Sequence, residues 1–276
     1  MNRKKNLILF LFMFFCTACS SFKPIRWMVY YGDQLNQENL KGVDLAVVEP
    51  DFITPKKFSG FDGLWIAYLS LGEVNESRSY WSALKMDGAL LEANPDWPGA
   101  YQVNLQNETW RKMVLDEIVP ALVEKGFHGL FFDTIDVASY LEAKDPKKYS
   151  GMVESLINLI QDIHKKYPQL LLFPNNGLDF LNKMAPSVDG VFVEDVYTHF
   201  DTTQGKVIAT SPGISREKEG VLDLFAKRYS KNVFVIHYGN SVGDELSQKA
   251  LEKARKKGYQ SYLTTINLDQ PGKIPY

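Results

Sequence analysis

The sequence predicts an α/β fold built as a single (β/α)8 TIM barrel, and three observations carry that prediction. Eight apolar runs recur along the chain, most of them continuous rather than alternating, as strands buried on both faces of a parallel sheet read. Amphipathic helical patterns fall between several of these runs, so strand and helix alternate. The roughly 250 residues that follow an N-terminal leader suit one barrel of this kind. A doubly wound open sheet is the main rival, but no Gly-rich dinucleotide fingerprint follows the first run and no GKS or GKT phosphate loop occurs.

The leader comes first. Arg3, Lys4 and Lys5 precede the apolar residues 7–15, a run too short to span a bilayer and built like a secretory signal. It ends in CTACSS, where Ala18 before Cys19 resembles the lipobox of bacterial lipoproteins, although Cys16 stands where Leu is usual. The expected division is a signal peptide over 1–18, a lipid-anchor tether over 19–24 with Cys19 acylated, and the barrel over 25–276. An ordinary signal peptide cleaved nearby is the alternative. Cys16 and Cys19 are the only cysteines, so cleavage before Cys19 leaves no disulfide to form and the fold rests on its core.

The predicted strands, in order, are RWMVYYGD (26–33), VDLAVVEPD (43–51), LWIAYLSLGEV (64–74), GLFFDTIDV (129–137), LLLFPNNG (170–177), VDGVFVEDV (188–196), NVFVIHYG (232–239) and YQSYLTT (259–265). Residues 107–126 read as a helix because Trp110, Val114, Ile118 and Leu122 repeat at helical spacing, with Gly126 placed to end it. Leu156, Leu159, Ile160 and Ile163 mark a second helix over 152–167, and residues 244–258 close a third with cations and Gly258. Two connections are long, 75–107 and 198–220, and long loops at one end of a barrel are where sites are built.

Barrel enzymes carry their catalytic groups at the C-terminal ends of strands. Those positions hold Asp33, Glu49 with Asp51, Glu73, Asp133 with Asp136, Asn175 with Asn176, Glu194 with Asp195, and His237 with Tyr238. Acids dominate. Two segments match: Gly129 and Gly190 are each followed by three apolar residues and then an acid, Asp133 or Glu194. Two carboxyls in unlike settings can divide the roles of nucleophile and proton donor, which is what glycoside hydrolysis requires. Any one such acid is more often a helix cap or an ion-pair partner; the matched lead-in singles out this pair. Asp136 lies past its strand and reads either as a substrate contact or as the N-cap of the next helix.

YLSLGEVNESRSYW (68–81), NPDWPGAYQVN (94–104), EKGFHGLFFDTIDVASY (124–140), FPNNG (173–177) and DGVFVEDVY (189–197) together resemble the ordered motif series of glycoside hydrolase family 114, the endo-α-1,4-polygalactosaminidase-like TIM barrels. The resemblance covers nearly all of the chain after the leader. It implies Asp133 as nucleophile and Glu194 as acid/base in a retaining cleavage of α-1,4-linked galactosamine, with Tyr68, Glu73, Arg78, Asp136 and Asn175 lining the sugar subsite. Glu49 and Tyr238, at the ends of the second and seventh strands, complete the expected substrate contacts. Glu49 and His237 stand where the family commonly has Asp, which puts the identity of the sugar, more than the barrel, in question; His128 replaces another frequent Asp.

The formal net charge is −2, from 31 Lys+Arg and 33 Asp+Glu, and loss of the leader makes the remainder more acidic. Such a surface speaks against nucleic acid and suits a cationic or neutral glycan. GNSVG (239–243) matches a nucleophile-elbow pattern, but no histidine follows it, so a Gly-rich turn is expected. His128, His164, His199 and His237 have no metal-binding spacing, and neither metal nor cofactor is expected. Tyr80, Trp81, Trp97, Tyr101 and Trp110 could stack on sugars, though packing is the expectation, for Trp97 above all. The sequence thus describes an exported, lipid-anchored, monomeric glycosidase of a bacterial envelope acting on an amino-sugar polysaccharide. A glycan-binding barrel without turnover and a hydrolase of another sugar polymer are the alternatives.

Overall fold

The structure is a computed structural model and describes residues 25–239 and 243–274. The expected leader, the tether with Cys19 and the middle of the GNSVG turn lie outside those residues. Eight parallel strands form where the apolar runs predict them: β1 (Trp27–Tyr30), β2 (Leu45–Val48), β3 (Leu64–Ser70), β4 (Gly129–Asp133), β5 (Leu171–Pro174), β6 (Gly190–Glu194), β7 (Asn232–Tyr238) and β8 (Gln260–Thr264). Parallel ladders join β1 to β5 in sequence and β6 to β8 in sequence, and a parallel bridge between Asn175 and Phe192 links the two sets. Single bonds rather than a ladder join β8 to β1: the Tyr262 hydroxyl donates to Val29 O (3.3 Å), and beside the strands Ile25 N donates to Gln260 Oε1 (3.0 Å) and Tyr31 N to Leu268 O (2.7 Å).

Ring contacts establish which side chains fill the interior. Trp27 meets Phe192 and Phe234 at 5.0 and 5.4 Å between centroids, Phe131 meets Phe192 at 5.1 Å, and Phe173 meets Phe234 at 5.9 Å. None of those strand pairs are ladder neighbours, so each contact crosses the barrel. Because a strand shows alternate residues to one face, Asp133 stands directly above Phe131, Asn175 above Phe173 and Glu194 above Phe192. The matched lead-in now has a physical reason. A Cβ on Gly129 would lie 2.4 Å from Leu171 O, and one on Gly190 would crowd Phe234 and Phe173 at 3.1 and 3.2 Å. Glycine below, an aromatic ring in the middle and an acid above is what fits one inward face of this barrel.

The helices cover the outside. Met152–Lys166 buries Met152, Leu156, Ile157, Leu159, Ile160 and Ile163, and Glu245–Lys257 runs from an Asp244 side-chain cap to Gly258 at φ +75°. The helix expected over 107–126 departs from a uniform one: α-helix over Glu108–Met113, a π turn over Val114–Ile118, then α-helix over Val119–Lys125. Pro120 lacks the N–H that a regular ladder would use, which accounts for the wider turn before it. Both long connections carry structure of their own. The first contains strands Glu73–Asn75, Leu90–Ala93 and Ala100–Val103 in one antiparallel sheet with the helix Trp81–Met86. The second contains the hairpin Thr198–Asp201 with Lys206–Ala209, then the helix Pro212–Tyr229.

Candidate active site

The C-terminal ends of β4, β5 and β6 bring Asp133, Asn175 and Glu194 together over the aromatic floor. Asn175 is 2 % exposed, and its Nδ2 donates to Asp133 Oδ1 at 2.9 Å and to Glu194 Oε1 at 2.6 Å. An amide nitrogen has two hydrogens, so both are committed. Two acceptors on one nitrogen can be no farther apart than the two bonds laid end to end, about 5.5 Å, so the facing oxygens of the two carboxyls are close neighbours.

The two carboxyls have unlike surroundings. Tyr238 donates its hydroxyl to Glu194 Oε2 at 2.5 Å, the Asn176 side chain accepts from Glu194 N at 3.1 Å, and Lys218 Nζ donates to Glu194 O at 2.8 Å. Burial, followed by the charge of Asp133, pushes the Glu194 carboxyl up to about 7, against the hydrogen bonds from Tyr238 and Asn175 that pull it down. Asp133 instead has Tyr68 beside it, whose phenol is pushed up by burial first and by the Asp133 charge next. Tyr31, in edge contact with Tyr68 at 4.7 Å, completes a group of three tyrosines beside the pair. Burial first, and the nearby carboxylates next, hold all three phenols well above their usual range, so each is neutral.

The main chain is strained at each of these three strand ends. Thr134, Asn176 and Asp195, the residues that follow Asp133, Asn175 and Glu194, have φ of +56°, +61° and +57°. Non-glycine residues pay roughly 1–3 kcal/mol each for such conformations, and they persist where surrounding bonds over-determine them. Thr134 is β-branched and therefore the clearest outlier. Its Oγ1 lies 2.8 Å from Ser70 Oγ and accepts from Gly72 N at 3.0 Å. Gly72 can approach this closely because a Cβ there would lie 2.1 Å from Thr134 O.

The other sequence-predicted residues fall in two places. Glu73 and Asp136 flank the pair. Glu73 is buried, accepts from Asn94 Nδ2 at 2.9 Å, and has its carboxyl raised by burial, with the Asn94 bond opposing and Asp133 and Asp136 adding. Asp136 holds the N-cap position of Val137–Lys144, yet its side chain makes no capping bond, so the reading of it as a cap is not what the structure has. Glu49 and Arg78 are paired with each other: Arg78 NH1 and NH2 donate to the two Glu49 oxygens at 2.7 Å each, and NH1 also reaches Asp51 at 2.5 Å. A cavity of about 430 Å³ opens beside this cluster, lined among others by Asp51, Tyr68, Arg78, Tyr80 and Lys125; Asp133 and Glu194 do not line it.

Three expectations change. His237 does not reach the pair: it is wholly buried on the opposite face of β7 from Tyr238, stacks on Tyr197, lies 3.2 Å from Ser261 Oγ and is held down to about 3 by burial. Trp97 is not packed but 58 % exposed, at the turn whose base carries Asn94, because the turn lifts it off the small sheet. Asp33 is exposed and accepts from its neighbour Gln34. Trp110, by contrast, is fully buried and donates to Leu71 O at 3.2 Å. Tyr31, Asn94 and Lys218 were not singled out by the sequence; Tyr31 follows the first strand and was within reach of the strand-end rule, whereas Asn94 comes from the first long connection and Lys218 from a helix.

The family model described as Glycoside-hydrolase family GH114 matches residues 17–275. A Deinococcus radiodurans protein is 28% identical over 255 residues, spanning 87% of this chain and 79% of that one, and a Thermotoga maritima protein is 22% identical over 98% of this chain and 92% of its own length. Among solved structures, the glycoside hydrolase domain of PelA from Pseudomonas aeruginosa is similar at a TM-score of 0.79 with 20% identity, covering 91% of this chain and 99% of that one. Ega3 of Aspergillus fumigatus, in complex with galactosamine, is similar at a TM-score of 0.67 with 17% identity, covering 91% and 96%. At those identities the structures bear on the fold.

Proposed function

Because the chain belongs to glycoside-hydrolase family GH114, we propose that it is an exported, lipid-anchored endo-glycosidase that cleaves α-1,4-linked galactosamine in a polysaccharide with retention of configuration. The observation that carries this reading is the carboxyl pair bridged by Asn175, with one member held near neutral pH. In the first step Asp133 attacks the anomeric carbon while Glu194 gives its proton to the departing glycosidic oxygen, leaving a glycosyl ester on Asp133. In the second, Glu194 takes a proton from water as the water oxygen attacks the same carbon and the ester breaks.

The surroundings support each assignment. Tyr68, a neutral phenol beside Asp133, suits a nucleophile that must stay ionised, and the Asn175 bridge between the two carboxyls suits a pair that acts together. Glu73 and Asp136 add negative charge beside the pair, which suits a partly deacetylated, cationic polymer. The galactosamine complex of Ega3 supports the same sugar class. Glu49 and Arg78 neutralise one another and act on substrate through the shape of the cleft rather than through free lone pairs. Anchoring by an acylated Cys19 completes the proposal, and Cys19→Ser should release the protein from the membrane fraction; retention would mean that the leader is an uncleaved anchor.

The direct test is incubation of the purified protein with polygalactosamine and other deacetylated glycans beside Asp133→Asn and Glu194→Gln variants. The expected outcome is cleavage by the parent, a loss of about 10²–10⁴-fold in kcat for Glu194→Gln and near-background rates for Asp133→Asn. Cleavage that survives both substitutions would sink the mechanism. Binding without cleavage by the parent would favour a glycan-binding barrel instead.

A further inference from the structure

Glu194 is attached to the rest of the molecule by more than its strand. Four consecutive carbonyls, from Glu194 to Tyr197, each accept a bond from one short stretch further along the chain. Lys218 Nζ donates to Glu194 O at 2.8 Å, Thr210 Oγ1 to Asp195 O at 3.2 Å, Ser215 Oγ to Val196 O at 2.7 Å, and Thr210 N to Tyr197 O at 3.0 Å. The second of these residues is Asp195 at φ +57°, so the stitched segment is the strained turn itself. Three of the four bonds fix main chain alone. The fourth brings an ammonium, from the helix Pro212–Tyr229, to the carbonyl of the acid/base residue.

We propose that Lys218 is a positioning residue for Glu194: its ammonium holds the main chain that aims this carboxyl at Asp133 and sets a positive charge within reach of Asp136, Asp195 and Glu194. The inference rests on the reading of Glu194 as acid/base. Burial pulls the Lys218 amine down, and those three carboxylates, Asp195 first, push it back up. The groups facing the cluster come from every neighbouring element: Asp133 on β4, Asp136 ahead of Val137–Lys144, Asp179 beyond β5, His199 on the hairpin and Tyr238 on β7. A cation there favours the ionised form of each carboxyl. At Glu194 its charge opposes the two larger influences, burial and Asp133, that hold the proton on. Without the tether the turn can relax, and a displacement of about 1 Å at a reacting group can cost on the order of 10²-fold.

The test uses the full chain in detergent, with Lys218→Met, Lys218→Arg and the parent. Two quantities are read: the titration midpoint of Glu194 from the δ-carbon shift of ¹³C-labelled glutamate, with Glu194→Gln to assign the signal, and kcat and KM on polygalactosamine across pH. Lys218→Met should raise the midpoint by about 0.5–1 pH unit and lower kcat by about 10–100-fold while KM changes little. Lys218→Arg should recover the midpoint, and with it most of kcat. An unchanged midpoint in Lys218→Met overturns the proposal, whether kcat is kept or falls only in step with thermal stability. The carbon titration needs no turnover, so a parent that cleaves nothing while the midpoint still moves would count against the proposed reaction and for the positioning role.

Discussion

Glu194 carries the account at the scale of single residues, because its carboxyl is held at about 7 while the proposed reaction needs it protonated to begin. The basic limb of kcat/KM should therefore fall near neutral pH as Glu194 ionises. Tyr238 tunes that limb in a direction the geometry fixes: its hydroxyl donates to the carboxylate and so favours the charged form. Tyr238→Phe should move the basic limb upward by about 0.5–1 pH unit, measurable from a pH–rate profile, and a downward shift would mean that Tyr238 is not a donor there. At this scale the sequence was informative where side chains face inward from a regular strand. Asp133 and Glu194 could be found because the alternation that buries Phe131 and Phe192 also places the acids. Lys218 and Asn94 could not, since their positions depend on how a helix and a hairpin return over the barrel.

Between residue and fold stands the strand face of glycine, ring and acid that β4 and β6 share. The two glycines make room for different neighbours: the adjacent strand and Ile66 at Gly129, and the Asn232 carbonyl with the rings of Phe234 and Phe173 at Gly190. In β4 the nearest obstacle to a methyl group is the main-chain oxygen of Leu171 at 2.4 Å, which cannot rotate away; in β6 the obstacles sit at 3.0 Å and beyond. Gly129→Ala should thus destabilise by about 1–3 kcal/mol, and Gly190→Ala by less, read from urea midpoints at unchanged slope. Equal effects would say that the strands shift enough to relieve the closer contact at Gly129. The strands were legible as continuous apolar runs, whereas the two insertions were not. Glu73–Asn75 and Lys206–Ala209 are three and four residues long, so their apolar patterning is too short to stand out. The π turn at Val114–Ile118 was hidden for a related reason: a single widened turn leaves the helical spacing of Trp110, Val114, Ile118 and Leu122 nearly intact.

For the whole molecule, the site's chemistry and its stability pull in opposite directions. A carboxyl raised from 4.5 to about 7 binds more protons in the folded than in the unfolded chain between those pH values. Folding stability must therefore drop as pH rises through that window, and the full penalty is present above it. Glu194→Gln removes the ionisation, and Tyr238 can turn its hydroxyl to accept from the amide. The variant should be more stable than the parent at pH 8, by on the order of 1–3 kcal/mol, with the difference vanishing near pH 4; a thermal melt series checks both ends. The order of eight strands was readable from the chain because each run is long and apolar, while the closure between β8 and β1 rests on a few single bonds that no local pattern announces. What the barrel accomplishes is the close approach of two carboxyls, and the stereochemistry of cleavage reports on it most directly. Proton NMR of the first products released from polygalactosamine should show the α-anomer, as double displacement at Asp133 requires; a β-anomer formed first would contradict the account.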